Sequence, residues 1–128
     1  MSESGRPRRV LVVDDDEQLR YVLRETMTED GYEVEAASNG REALTIIERW
    51  QPDLIVLDLM MPVMDGETFR QEQRRLGLVE RAPVIVLSAA REMLSIAERV
   101  GAAASVPKPF DLDDLLATVS RLAASPGA

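Results

Sequence analysis

The sequence contains neither cysteine nor histidine. The first absence removes disulfide frameworks, thiolate nucleophiles and zinc–sulfur sites, and the second removes imidazole as an acid, a base or a metal ligand. Any chemistry falls to carboxylates, hydroxyls and ammonium groups. No apolar run approaches the ~20 residues needed to span a bilayer. The N-terminal stretch also has no signal-peptide core, so the chain is expected in the cytoplasm with no membrane insertion. Positive charge is scarce: 15 Lys plus Arg stand against 23 Asp plus Glu, a net charge of −8 that disfavours direct binding to nucleic acid. The exception is a locally basic patch of Arg6, Arg8 and Arg9, read as belonging to a solvated arm. With 128 residues, 45% of them apolar and 30% charged, the chain is expected to form one compact domain.

Three segments are nearly continuous in branched apolar residues: VLVV at 10–13, LIVL at 54–57 and VIVL at 84–87. Such runs suit strands covered on both faces. Two weaker candidates, Tyr32 to Ala36 with its acidic alternation and the small-residue stretch Ala102 to Val106, suit sheet edges. Helical spacing separates them. Leu19, Val22, Leu23, Thr26 and Met27 define a first helix; Ala43, Leu44 and Ile47 define a second, behind Ser38-Asn39 with Glu42 placed for a capping box. Leu112, Leu115, Leu116, Val119 and Leu122 form one face of a last helix that Asp111 can cap. Two others are expected over 65–76 and 90–100, the former with little apolar face beyond Phe69 and Leu76 and with an unexplained Gln73.

Strands alternating with helices imply right-handed crossovers and a parallel sheet covered on both sides. Placing the three apolar strands centrally gives an α/β, doubly wound five-stranded parallel sheet of order 2-1-3-4-5. Ligands bind such sheets at the carboxyl ends of the strands, where the order reverses between the first and third. Asp14, Asp15 and Asp16 end the first strand, Asp58 the third and Ser88 the fourth, and Lys108 follows the fifth. Clustered carboxylates repel one another unless a hard cation joins them, and all-oxygen ligands favour Mg²⁺. An ammonium and a hydroxyl aimed at the same rim suit a phosphoryl group, with a carboxylate such as Asp58 as nucleophile.

Each residue also has a plainer explanation. Asp15 or Asp16 can simply cap a helix whose Glu17 complements the dipole; Ser88 can be an ordinary loop serine; Pro107 and Pro109 around Lys108 can make a rigid turn. Asp58 is the exception, because a lone carboxylate inside LIVLDLMMP is costly to bury.

The segments VLVVDDD at 10–16, LIVLDLMMPVMDG at 54–66, VIVLSA at 84–89 and VPKPFD at 106–111, in this order and spacing, closely resemble the receiver domain of two-component response regulators. The resemblance covers residues 8–122, leaving 1–7 as a flexible leader and 123–128 as a frayed tail. It implies the flavodoxin-like receiver fold, with Asp58 as phosphoacceptor and Asp14 and Asp15 as an acid pair. It further implies Mg²⁺ held by Asp15, Asp58 and the backbone carbonyl of Met60, with Asp14 acting through water. Ser88 takes the place of the switch hydroxyl, and Lys108 that of the phosphate-contacting lysine, whose bond to Pro109 is usually cis. Asp65-Gly66 matches the turn opening the third helix. Ser105 departs from the pattern, standing where the family usually carries Tyr or Phe.

The leading expectation is a stand-alone phosphoacceptor, not an enzyme, that takes its phosphoryl group from a phosphohistidine on a histidine kinase or phosphotransfer protein. It would signal through the face of helix four, strand five and helix five, as a monomer or a phosphorylation-dependent dimer. A phosphorylation-independent binding module on the same fold is a second reading, suggested by Ser105. A haloacid-dehalogenase-type phosphotransferase using Asp14 and Asp16 is a third.

Overall fold

A computed structural model of the chain describes residues 7–61, 63–78, 82–88 and 93–124, and the side chains of all of these except 93, 94 and 124. Ten elements alternate strictly: β1 Arg9–Val13, α1 Glu17–Glu29, β2 Glu33–Ala37, α2 Gly40–Ile47, β3 Leu54–Asp58, α3 Gly66–Arg75, β4 Val84–Ser88, α4 Met93–Val100, β5 Ala104–Pro107 and α5 Leu112–Ala124. The strands form one parallel sheet of order β2-β1-β3-β4-β5, the expected one, with the two weakly apolar strands at its edges.

Alternation along the strands decides which helix packs where. Val10 and Val12, Leu54 and Val56, Ile85 and Leu87 face one side, where Leu23 and Met27 of α1 and Leu115 and Val119 of α5 cover them. Leu11 and Val13, Ile55 and Leu57, Val84 and Val86 face the other, against Ala43 and Ile47 of α2, Phe69 of α3 and Ala97 and Val100 of α4. Every residue of β3 and β4 is buried, which explains their unbroken apolar runs.

The caps follow the sequence signals. Asp16 caps α1, its side chain accepting from the N–H groups of Gln18 and Leu19. Asn39 caps α2 by accepting from Glu42 N–H, while the Glu42 carboxylate accepts from both the N–H and the hydroxyl of Ser38. These two Ser38 bonds hold the Glu42 carboxyl below its ordinary pKa, with a smaller contribution from the charge of Arg20. Asp111 accepts from Asp113 N–H at the start of α5.

Several boundaries move, among them β2, at Glu33–Ala37 rather than Tyr32 to Ala36, and α3, at Gly66–Arg75 rather than 65–76. Arg9 does not belong to a solvated arm: it opens β1, pairs with Glu33 at 2.8 Å and lies 5.3 Å over the Trp50 ring, so its charge is neutralised locally. β5 lies at Ala104–Pro107 rather than 102–106. α5 runs to Ala124, past the boundary expected at 122, because Ala123 is 3% exposed and still packs on the sheet. Residues 89–92, which include the expected start of α4, lie outside the described residues.

Gln73 has a structural reason. α3 buries Phe69 but leaves Leu76 exposed, and the rest of its inner face is polar: Arg70 and Gln73 are 5% and 2% exposed. The Arg70 guanidinium donates through Nε to the carbonyl of Val100, the last residue of α4, at 2.9 Å, and through Nη1 to Gln73 Oε1 at 2.7 Å. A cation thus closes the negative end of α4, and Gln73 satisfies the cation. A second guanidinium crosses the same pair of helices in the opposite sense, Arg99 of α4 donating to Glu67 of α3 at 2.7 Å. Gln73→Leu keeps the volume but takes an acceptor from a buried charged donor, and is expected to cost about 1–3 kcal/mol in urea unfolding. Stability equal to the parent would mean that Gln73 merely fills space.

Candidate functional site

The carboxyl ends of the central strands bring the acidic residues together. Asp14 follows β1 directly and is held on three sides. Its N–H donates to the Ala37 carbonyl of β2 at 3.1 Å, and its carboxylate accepts from Asp16 N–H at 2.9 Å and from Lys108 Nζ at 2.9 Å. Its own carbonyl accepts from Nη1 of Arg20 at 2.8 Å. Asp58 is the last residue of β3. One of its oxygens accepts from Met60 N–H at 3.2 Å, and the other stands 3.4 Å from Lys108 Nζ. Asp15 projects outward. Carboxylate oxygens of Asp14, Asp15 and Asp58 all lie within 4.8 Å of one another, the first and last buried and Asp15 exposed.

Burial dominates the electrostatics. Asp14 is 0% and Asp58 3% exposed. The pKa of Asp58 rises to about 6, mainly because burial disfavours its charge and secondly because Asp14 lies nearby. The Met60 N–H and Lys108 oppose this without cancelling it. For Lys108, burial works against the ammonium, but the hydrogen bond and charge of Asp14, with a smaller effect of Asp58, more than compensate and raise its pKa. Three hard oxygen donors, one facing outward, with a buried negative charge only partly balanced by one ammonium, fit a divalent cation such as Mg²⁺.

Lys108 is positioned by its own backbone. Its N–H donates to the Ser88 carbonyl at 3.1 Å, continuing the β4–β5 ladder past the Ser88–Pro107 pair, and its bond to Pro109 is cis. Ser88 ends β4 and is 1% exposed. Met60 turns its side chain outward, 61% exposed, leaving its backbone beside Asp58. Gly66 makes this turn possible: a Cβ there would stand 2.7 Å from the Asp58 carbonyl, and its N–H donates to the Leu59 carbonyl at 3.2 Å. Asp65 caps α3 by accepting from Thr68 N–H. Asp14, Asp15, Asp58, Ser88, Met60 and Lys108 therefore all lie at the carboxyl ends of neighbouring strands. Asp16 does not join them, because its carboxylate is committed to the α1 cap, which leaves a paired nucleophile and acid at Asp14 and Asp16 without their second member. Ser105 lies in β5 opposite Val86 and is half-buried.

Sequence reasoning passed over Arg20. Its signal was a cation in the first turns of a helix, close behind an acidic run and at the end of the dipole where a cation is disfavoured.

The comparisons with known proteins agree with this geometry. The model of the response regulator receiver domain matches residues 10–120. The chain is 45% identical over 121 residues to response regulator MprA of Mycolicibacterium vanbaalenii and 43% identical over 119 residues to response regulator MprA of Mycobacterium leprae, covering 91% and 89% of this chain. It spans about half the length of these relatives, 50% in each case. Among solved structures it superposes on the chemotaxis protein CheY4 of Vibrio cholerae with a TM-score of 0.82 at 35% identity, covering 91% of this chain and 98% of that one. It also superposes on the response regulator TrrA of Thermotoga maritima, solved in complex with Mg²⁺-BeF, with a TM-score of 0.76 at 35% identity, covering 90% and 98%. No described helix is long and apolar enough to cross a membrane. With its strand order, its acidic rim and a family model spanning most of its length, the chain belongs to the response regulator receiver domains of two-component signalling.

Proposed function

We propose that the chain is a phosphoacceptor that takes a phosphoryl group onto Asp58 from a phosphohistidine of a partner histidine kinase or phosphotransfer protein. The observation that carries this reading is a nearly buried carboxylate at a strand end, 3.4 Å from an ammonium and within one cluster with two further carboxylates. Asp15, Asp58 and the Met60 carbonyl would hold Mg²⁺, with Asp14 acting through water. When bound, the metal supplies positive charge against the phosphoryl oxygens. The remaining work belongs to the chain. An ionised Asp58 oxygen forms the new bond to phosphorus while the bond from phosphorus to the donor's imidazole nitrogen breaks, and that nitrogen keeps the electron pair. Lys108 neutralises charge on the transferred group and Ser88 donates a hydrogen bond to it. The fit of this fold to TrrA, which was solved with Mg²⁺-BeF, supports the same assignment.

Ser88 ends β4, so a shift of its hydroxyl toward the phosphoryl group would act at that strand end. Signalling through α4, β5 and α5 is the corresponding output. Whether the chain acts alone or within a longer protein does not alter the chemistry at Asp58.

Acetyl phosphate with Mg²⁺ is expected to add one phosphoryl group to the protein, mapped by mass spectrometry of borohydride-reduced peptides to Asp58. Asp58→Asn should take none. Labelling of that variant at the parental rate would move the acceptor elsewhere. No labelling of the parent under Mg²⁺ would favour the phosphorylation-independent binding module that Ser105 suggests.

A further inference from the structure

We propose that Arg20 is a positioning residue for the metal site, bracing the turn that presents Asp15. The inference rests on the phosphoacceptor reading above. Side chains on a helix lean toward its N-terminus, and from its place in α1 Arg20 reaches back over the turn to donate from Nη1 to the Asp14 carbonyl at 2.8 Å. That carbonyl belongs to the peptide unit joining Asp14 to Asp15. The unit is planar, so fixing its oxygen fixes the N–H and Cα of Asp15, the origin of the exposed carboxylate.

The other described bonds of this turn act on different groups. The Asp14 N–H is tied to Ala37, the Asp14 carboxylate to Asp16 N–H and Lys108, and the Asp16 carboxylate to the first turn of α1. The Asp16 N–H bond holds the peptide plane on the far side of Asp15, the one joining it to Asp16. The bond from Arg20 holds the plane on the near side, between Asp14 and Asp15, so the two planes flanking Asp15 are fixed together. Along its own helix the placement is unfavourable: a guanidinium in the first turns of α1 opposes the helix dipole, whose N-terminal end here carries the acidic Glu17. Glu42, whose pKa the charge of Arg20 helps to lower, offers the guanidinium a favourable neighbour at the start of α2.

Two roles predict opposite signs. A cation near an acidic site repels a second cation, so if Arg20 acted only by its charge, removing it would tighten Mg²⁺ binding. A brace predicts the reverse. Residues that orient metal ligands typically change affinity by 10- to 100-fold when lost. Arg20→Met, which keeps much of the stem and removes charge and donors, is expected to weaken Mg²⁺ binding about tenfold in calorimetric titration. Arg20→Lys, which keeps a donor and the charge, should bind more tightly than Arg20→Met. Glu42→Gln should bind as the parent does. In amide spectra of the metal-free proteins, the changes in Arg20→Met should centre on residues 14–16, with the core strands unmoved.

Parental or tighter Mg²⁺ affinity in Arg20→Met would overturn the role of Arg20, as would a tenfold loss in Glu42→Gln, which would assign the effect to the α1–α2 ion attraction. Equal weakness of Arg20→Lys and Arg20→Met would overturn it as well. A parent that binds no Mg²⁺ would refute the phosphoacceptor reading and this inference together, whereas a binding parent with an unaffected Arg20→Met refutes this inference alone.

Discussion

Lys108→Met is expected to slow Mg²⁺-dependent labelling of Asp58 by about 100-fold or more and, in metal-free buffer near neutral pH, to destabilise the fold by about 2–4 kcal/mol. Both effects come from one ammonium. Its Nζ lies 2.9 Å from Asp14 and 3.4 Å from Asp58, and it is the cation that the described residues place against these two nearly inaccessible carboxylates. Removing it leaves like charges facing each other in a poorly solvated site, and unpairing a buried charge is costly. Two features hold the loss below the full buried-pair value. The lysine side chain is 25% exposed, so its attraction is partly screened. Asp58, with a pKa already near 6, can take up a proton and remove one of the two charges.

The two effects separate on adding metal. Millimolar Mg²⁺ should restore much of the stability, because a divalent cation replaces the missing charge, but not the rate, because the ammonium no longer meets the phosphoryl oxygens. Urea unfolding in chelator and in Mg²⁺, alongside initial labelling rates, measures both. A variant as stable as the parent in chelator would show that the site tolerates its own repulsion without Lys108.

How much of this was legible follows from where each signal resides. The central strands announce themselves because burial on both faces demands unbroken runs such as Val84 to Leu87, while the edge strand Glu33–Ala37 shows its half-solvated position by acidic alternation. The site was legible only jointly. The acidic run after β1, Ser88 and Lys108 each have a plain local explanation, Asp58 alone does not, and only the strand order places them all on one rim. What was hidden depends on groups with no local signature. Arg70 and Gln73 look misplaced on α3 until the carbonyl at the end of α4 supplies their partner. Arg9 looks like a leader residue until Glu33 and Trp50 close around it. Arg20 stands out only as a cation at the disfavoured end of α1, and its acceptor, a backbone oxygen, is one that no side-chain pattern reveals.

Asp58→Asn is expected to be more stable than the parent in metal-free buffer at pH 7.5 and to lose that advantage as the pH falls. The folded state raises the pKa of Asp58 from 3.8 to about 6, so it binds this proton more tightly than the unfolded chain does. Ionisation therefore costs stability: nothing below about pH 4, increasingly as the pH rises toward 6, and fully above it. The rise from 3.8 to about 6 corresponds to about 3 kcal/mol at most, with the attraction of Lys108 already contained in it. The amide escapes this cost, and because solvent screening at the rim reduces it, a net gain of about 1–2 kcal/mol at pH 7.5 is expected. By pH 4.5 about two thirds of this gain should be gone, with full coincidence only below the unfolded value of 3.8. Mg²⁺ should reverse the order at pH 7.5, since binding at 100 times Kd stabilises the parent by about 2.7 kcal/mol while the variant lacks the charged ligand. Urea unfolding of both proteins at pH 4.5, 6 and 7.5, with and without Mg²⁺, tests each step. If the parent in chelator gains stability relative to the variant between pH 4.5 and 7.5, Asp58 is stabilised as the anion by its surroundings, and the site is not a store of unbalanced negative charge waiting for a cation.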